Sequence, residues 1–283
     1  MGISKNKYIT SVFNLAVSGL LMASGFAWAD SYQTPASHSH TYILNAPKLI
    51  DQWEISAAVI IDNKLWVASD KPLKAGAQVA GILAAYDLSS LQNWEELRKR
   101  CRTETDLNEG KCDGNNPVDI AVVPQAGKLE GAALLPENNV LWWDTIKNRA
   151  NICFNTHQES CSASPVPFTF PDNRKLREIV KANTGLAEKD IEYVSVEGLA
   201  LSGNHFWLGV RRYKHKEQGE IYWTAVVDQD GTISWGGGPL VLDGKPFSIS
   251  DLTADRTGLW ATLSYESLET GNNKRSDVEG RLA

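Results

Sequence analysis

The stretch Glu197-Gly-Leu-Ala-Leu-Ser-Gly-Asn-His-Phe-Trp207 sets out one structural unit. An acid and a glycine open it, and a short apolar run follows. Gly203-Asn204 then tolerates the positive φ of a tight hairpin turn. An apolar residue and a tryptophan lie on the returning strand. Three other stretches repeat the pattern: Ile55–Trp66, Glu130–Trp142 and Ser250–Trp260. Their turns are marked by Asp62-Asn63, by the Pro136–Asn139 run and by Gly258. A fifth copy begins at Val278-Glu279-Gly280, and the chain ends at Ala283.

One hairpin cannot bury both its faces, whereas sheets set around an axis can. The repeats therefore predict an all-β fold, a β-propeller of five or six irregular blades, with a β-sandwich as the alternative. The intervals between the repeated tryptophans are 76, 65 and 53 residues. These exceed a minimal blade of about 40–50 residues, so insertions are expected. Leu91–Arg100 and Arg174–Ala182 read as short helices. Further strands are expected at Ile82–Leu88, Ala150–Phe154, Ile221–Asp228 and Pro239–Leu242.

The N-terminus has the grammar of a cleaved secretory signal. Lys5 and Lys7 precede an apolar stretch from Ile9 to Phe26, and Ala27-Trp28-Ala29 supplies small residues at −3 and −1. The expected organisation is a signal at 1–29, a flexible segment at 30–40, and a single propeller domain at 41–283 that breaks off within its fifth repeat. A periplasmic or secreted protein follows. No later segment approaches the ~20 apolar residues of a membrane span. The net charge is −6 over 283 residues, and the signal holds two lysines and no acid, so the rest is more acidic still. Nucleic acid is a poor partner for such a chain. Four cysteines fit an oxidising compartment. Proximity favours Cys101–Cys112 and Cys153–Cys161 as disulfides, each closing a short loop, although four cysteines allow three pairings. A monomer is expected.

Val196-Glu-Gly-Leu-Ala200 followed by Phe206-Trp-Leu-Gly-Val-Arg211 resembles a motif of the exported bacterial family known as domain of unknown function 3616. It is similar, more loosely, to the phytase-like esterase propellers, which also repeat a Glu-Gly-Leu/Ile-Ala element. Ile55-Ser-Ala-Ala with Val67-Ala-Ser-Asp70, and Leu129-Glu-Gly-Ala132, fit the same pattern. Ile249-Ser-Asp-Leu252 with Leu263-Ser-Tyr-Glu266 fits less closely. The resemblance spans roughly residues 50–283 and implies a periplasmic propeller. It brings no established activity.

The chemistry rests on the leading acids Glu130, Glu197, Asp251 and Glu279. If each begins an innermost strand, they converge at one mouth of a channel. Such a ring suits Ca²⁺, with Glu130, Glu197 and Asp251 as metal ligands. The same three are the candidate catalytic residues of an ester hydrolase, one carboxyl being raised by its neighbours. Arg211, Arg212 and Glu279 are the candidate ligand-binding residues, the arginines suiting a phosphate or carboxylate. The competing reading makes Glu-Gly a turn that opens a blade, with no chemistry. The first repeat favours it, because Ile55-Ser56 carries no acid. His38, His40, His157, His205 and His215 read as linker or loop residues, and Arg211–Glu217 as a solvated loop. There is no GxSxG, HExxH, P-loop or dinucleotide fingerprint. The expected function is binding of a small anionic ligand or a protein partner at the channel mouth. Hydrolysis of phosphate or carboxylic esters is the alternative, and a structural scaffold is a third.

Overall fold

A computed structural model describes residues 11–15, 40–45, 47, 54–75, 78–97, 99, 114–145, 149–153, 161–162, 168–255, 258–268 and 275–282. The chain divides into two compact units, residues 1–53 with 86–118, and residues 54–85 with 119–283. The stretch read as one domain over 41–283 thus contributes to both. Cys101, Cys112, His38 and His157 lie outside the described residues.

In the first unit, β1 (Ser11–Leu15) pairs antiparallel with β2 (His40–Leu44). Helix α1 (Trp94–Leu97) is a single turn. Its start is a reciprocal cap: Glu96 N donates to Asn93 Oδ1 and Asn93 N donates to Glu96 Oε2, both at 2.9 Å. The buried Asn115 side chain holds Gln92 through both its amide atoms, at 2.8 and 2.9 Å.

The second unit holds four antiparallel sheets. Sheet 1 contains β3 (Ile55–Ile61), β4 (Lys64–Ser69), β5 (Leu73–Ala75), β6 (Gln78–Asp87) and β7 (Asp119–Pro124). Sheet 2 runs β8 (Leu129–Leu134), β9 (Val140–Asp144), β10 (Arg149–Cys153) and β11 (Cys161–Ser162). Helix α2 (Asn173–Thr184) follows. Asp172 caps it by accepting from Lys175 N, and Gly185 ends it at φ 75°. Leu176, Ile179 and Val180, spaced for one helix face, are its buried residues. Sheet 3 runs β12 (Ile191–Ser202), β13 (His205–His215), β14 (Gly219–Asp228) and β15 (Ile233–Gly238). Sheet 4 runs β16 (Leu240–Leu242), β17 (Lys245–Ala254), β18 (Leu259–Leu268) and β19 (Arg275–Leu282).

The fold is therefore all-β, with four sheets of four or five strands beside the two-stranded β1–β2 pair among the described residues, where five or six blades had been expected. The fifth Glu-Gly explains part of the difference. Gly280 pairs with Ser264 and Glu279 with Tyr265, so Val278–Gly280 belongs to the last strand of sheet 4 and opens nothing new. The charged run after Arg211 is also strand. Residues Arg211–His215 continue β13, and His215 is buried, its Nδ1 accepting from Glu217 N at 3.1 Å. Cys153 stands directly opposite Cys161 in the β10–β11 pair.

The sheets pack face to face in chain order. Trp66, Ala68, Val140 and Trp142 share one core between sheets 1 and 2. Leu141, Trp143, Leu199 and Leu208 share the next. Ala200, Val226, Ile249, Leu252 and Leu263 share a third, between sheets 3 and 4.

The four leading hairpins repeat in register as well as in sequence. Each leading strand carries a one-residue bulge at the same place. The residues passed over are Ser56, Glu130, Glu197 and Ser250. The residues just after them, Ala57, Gly131, Gly198 and Asp251, pair with Ala68, Trp143, Gly209 and Thr262. Asp251 is thus the register partner of the glycines, one step beyond Glu130 and Glu197. The tryptophan alignment slips as well. Trp66, Trp207 and Trp260 are equivalent, but the second hairpin has Leu141 at that place.

This register explains what each face carries. Ala57, Val59, Trp66 and Ala68 turn toward sheet 2, and the matching residues of sheet 3, Gly198, Ala200, Trp207 and Gly209, turn toward sheet 4. A Cβ on Gly131 would stand 2.7 Å from Leu199 N, and one on Gly198 would stand 2.7 Å from Leu252 N. Glycine follows the acid because the next leading strand lies there. In sheet 4 the same positions are Asp251, Thr253, Trp260 and Thr262, and Thr253, Trp260 and Thr262 are exposed. Trp260 is 38% exposed while Trp66 is 1% exposed, so the four repeated tryptophans are not all core. Trp66→Ala should cost about 3–5 kcal/mol in chemical denaturation. Trp260→Ala should cost under about 1 kcal/mol. Equal losses at the two positions would contradict the open face of sheet 4.

Candidate functional site

A bulge turns a side chain out of the alternation of its strand. At Glu130 and Glu197 it places a carboxylate where the leading strands meet. Both residues are buried, at 4% and 2% exposure. At the two serine bulges the hydroxyl binds backbone instead. Ser56 Oγ donates to Ala68 O at 3.3 Å and Ser250 Oγ donates to Thr262 O at 3.2 Å, two equivalent bonds. Ser56 Oγ also donates to Leu129 O, which ties β3 to β8.

The acid missing from the first repeat comes from elsewhere. Asp70, just past β4, lies 3.5 Å from Lys128 Nζ, and Lys128 also pairs with Glu130 Oε1. Lys71 braces Asp70 at 3.0 Å and Glu54 at 3.0 Å. Glu197 is held by Arg211 Nη1, by Ser195 Oγ donating at 3.1 Å, and by Arg212 Nη2 at 3.8 Å. Arg212 reaches Glu220 Oε2 at 3.1 Å with its other terminal nitrogen, and Tyr193 donates its hydroxyl to Glu220 at 2.7 Å. Leu252 N donates to Asp251 Oδ1 at 2.8 Å.

The charges sense one another across the sheets. Burial pushes the Glu130 carboxyl up to about 7, the Glu197 charge adds to the rise, and Lys128 opposes it. Desolvation also holds Asp251 well above the ordinary aspartate value, and Glu130 contributes. Burial raises Asp70 too, with Lys71 and Lys128 opposing it. Burial works against the Lys128 ammonium, yet Glu130, Glu197 and Asp70 together keep it above the ordinary lysine value.

Glu130, placed apart from both by the sequence, thus lies within electrostatic reach of Glu197 and of Asp251, and Arg211 and Arg212 lie beside Glu197. Glu279 instead sits on β19, two strands away from the leading strand of its own sheet. Among the described residues, no three His, Cys, Asp or Glu side chains are placed to hold a metal ion. Lys128, Arg211 and Arg212 supply positive charge beside Glu130 and Glu197. Asp70 and Lys128 escaped sequence reading because they flank the repeated element instead of lying in it. The available signal was Val67-Ala-Ser-Asp70, whose acid falls where Arg211 falls in the third hairpin.

No family model matches the chain, and no curated protein matches it. Solved structures give distant likenesses. The extracellular domain of BT4673 from B. thetaiotaomicron aligns at TM-score 0.31 and 12% identity, over 84% of this chain and 25% of that one. The chain thus spans about a quarter of that protein's length. A chain of the nidogen/laminin complex aligns at TM-score 0.31 and 10% identity, over 84% and 83%. PorZ, a surface component of the type-IX secretion system of Porphyromonas gingivalis, aligns at 0.24 and 7%, over 82% and 38%. Likenesses of this size carry no argument about activity. Among the described residues no helix is long and apolar enough to cross a membrane.

The raised Glu130 carboxyl makes a signed prediction. The ordinary value is 4.5 and the folded value about 7, so the folded state holds the proton more tightly. The resulting stability is fully present below the ordinary value and is lost as the pH climbs through the folded one. Glu130→Gln should flatten that fall by roughly 1 kcal/mol or more between about pH 5 and pH 8, read by urea denaturation. An unchanged slope would contradict the burial assigned to this carboxyl.

Proposed function

We propose that the chain is an exported β-propeller module that binds a small anionic ligand where its leading strands converge, without chemistry of its own. The four sheets are its blades, and export follows cleavage after Ala29. In that oxidising setting Cys153 and Cys161 form a disulfide across β10 and β11.

The observation that carries the reading is how the hub is exposed. The carboxylates of Glu130 and Glu197 are buried, with side-chain exposures of 6% and 3%. Lys128, which pairs with Glu130, and Arg212, which lies near Glu197, keep more exposure, at 26% and 16%. An anion arriving there meets an ammonium and a guanidinium first. The acids hold both cations in place.

Sulfate is a suitable probe. Calorimetry should give saturable binding that weakens about tenfold or more in Lys128→Gln and in Arg212→Gln, one charged hydrogen bond being worth about that much. Absence of sulfate binding, or equal affinity in both variants, would overturn the reading.

Ester hydrolysis remains a second reading on one observation. A carboxyl pushed up to about 7 is suited to general acid–base work at neutral pH. Turnover of a generic phosphate or carboxyl ester that disappears in Glu130→Gln would favour it over binding alone.

A further inference from the structure

We propose that the groove between helix α2 and the start of β12 is a separate anion site, built for an oligophosphate chain. Its residues are not those of the hub, and it stands or falls without the anion-binding reading above.

The groove has a volume of about 640 Å³ and is lined by Arg177, Glu188, Lys189, Ile191, Glu192 and Lys216. Its cations come from three elements. Arg177 lies on α2, Lys189 on the single helical turn Glu188–Asp190, and Lys216 in the turn between β13 and β14. Backbone hydrogen bonds fix these walls. Asp190 N donates to Ala187 O and Lys216 N donates to Asp190 O, both at 2.9 Å. The buried His215 holds the Lys216 turn as well, its Nδ1 accepting from Glu217 N at 3.1 Å. A surface set in advance loses little to ordering when a ligand arrives.

The charges in the groove do not cancel. Lys189 and Lys216 are exposed, and among the described residues neither side chain has an ion-pair partner. Arg177 Nη2 stands 3.7 Å from Glu188 Oε1, beyond hydrogen-bond length. Arg177 Nε is buried and has no hydrogen-bond partner among the described residues. Of the two acids, Glu192 is already held by Lys214 at 2.7 Å. Three cations thus face one loosely paired carboxylate, in a chain whose net charge is −6. A basic groove on an acidic surface draws anions to itself.

Size and lining name the occupant. A water molecule fills about 30 Å³ of liquid, so the groove holds far more than one small anion. Cations from three elements suit negative charges in series. Ile191 is the apolar residue of the described lining, and it is itself buried. A peptide therefore finds no pocket for an anchoring side chain, and a nucleic acid finds no ring on which a base can stack. An arginine fork beside lysine point charges is a donor set for phosphate oxygens.

Inorganic tripolyphosphate is the probe, titrated by calorimetry into the full-length protein at low salt. Binding should be saturable and should weaken as salt is raised. It should weaken about tenfold in Arg177→Gln and in Lys216→Gln, the scale of one charged hydrogen bond. Lys189 and Lys216 are exposed, so Lys189→Gln and Lys216→Gln decide the matter even where Arg177→Gln fails to fold. No binding, or an affinity that these exposed variants leave in place, would overturn the proposal. A loss seen in Lys128→Gln alone would put the ligand at the hub, overturning the groove and supporting the earlier reading. Sulfate binding that survives the groove variants keeps the hub reading intact whichever way the groove is decided. Hexaglutamate, a chain of carboxylates without phosphate, should bind more weakly than tripolyphosphate. Equal or tighter binding of hexaglutamate would overturn the phosphate assignment in favour of an acidic peptide.

Discussion

A carboxylate turned out of a sheet by a bulge, and then buried, must meet a cation or give up its charge. That requirement organises this molecule. The bulges at Glu130 and Glu197 interrupt the ladder at the same point of successive leading strands. The glycine after each acid lets the next leading strand come within backbone contact. Approach and charge therefore come as a pair: the small residue admits the neighbour, and the neighbour desolvates the acid. Arg211 and Lys128 are the compensations, one from the returning strand and one from the residue before the strand.

Much of this was legible in the chain, because repetition is local. The four hairpins, their turns and the two helices follow from Gly, Asn, Asp and apolar spacing. Positive φ at Asp62, Asn63 and Gly203 is what those turn residues predict. That Glu130 and Glu197 take matching places on successive leading strands was legible too, but their partners were not. Register depends on pairing, and pairing is not written in one strand. Hence Asp251 and Trp142 each sit one step from the place their sequence alignment suggests. The partners of the acids were hidden for a related reason. Arg211 and Arg212 read as a solvated run until β13 is seen to continue through them, where the neighbouring strands β12 and β14 supply Glu197 and Glu220.

The last sheet shows how position in the series rewrites a repeated surface. Sheets 1, 2 and 3 offer alanine, glycine, valine, leucine or tryptophan to the sheet that follows. Sheet 4 has Asp251, Thr253 and Thr262 at the same places, and its tryptophan stands in solvent. Asp251 belongs to that polar set, is half-buried, and lies within electrostatic reach of Glu130.

Leading strands far apart in sequence meet around the charges of Glu130, Glu197 and Lys128. The direct measurement is a double-mutant cycle on stability between Glu130→Gln and Asp251→Asn, at a pH where both groups are ionised in the unfolded chain. Two like charges in one buried hub should couple by about 1 kcal/mol or more, each substitution relieving part of what the other relieves. Effects that add to within about 0.3 kcal/mol would place the two carboxylates apart and contradict the account.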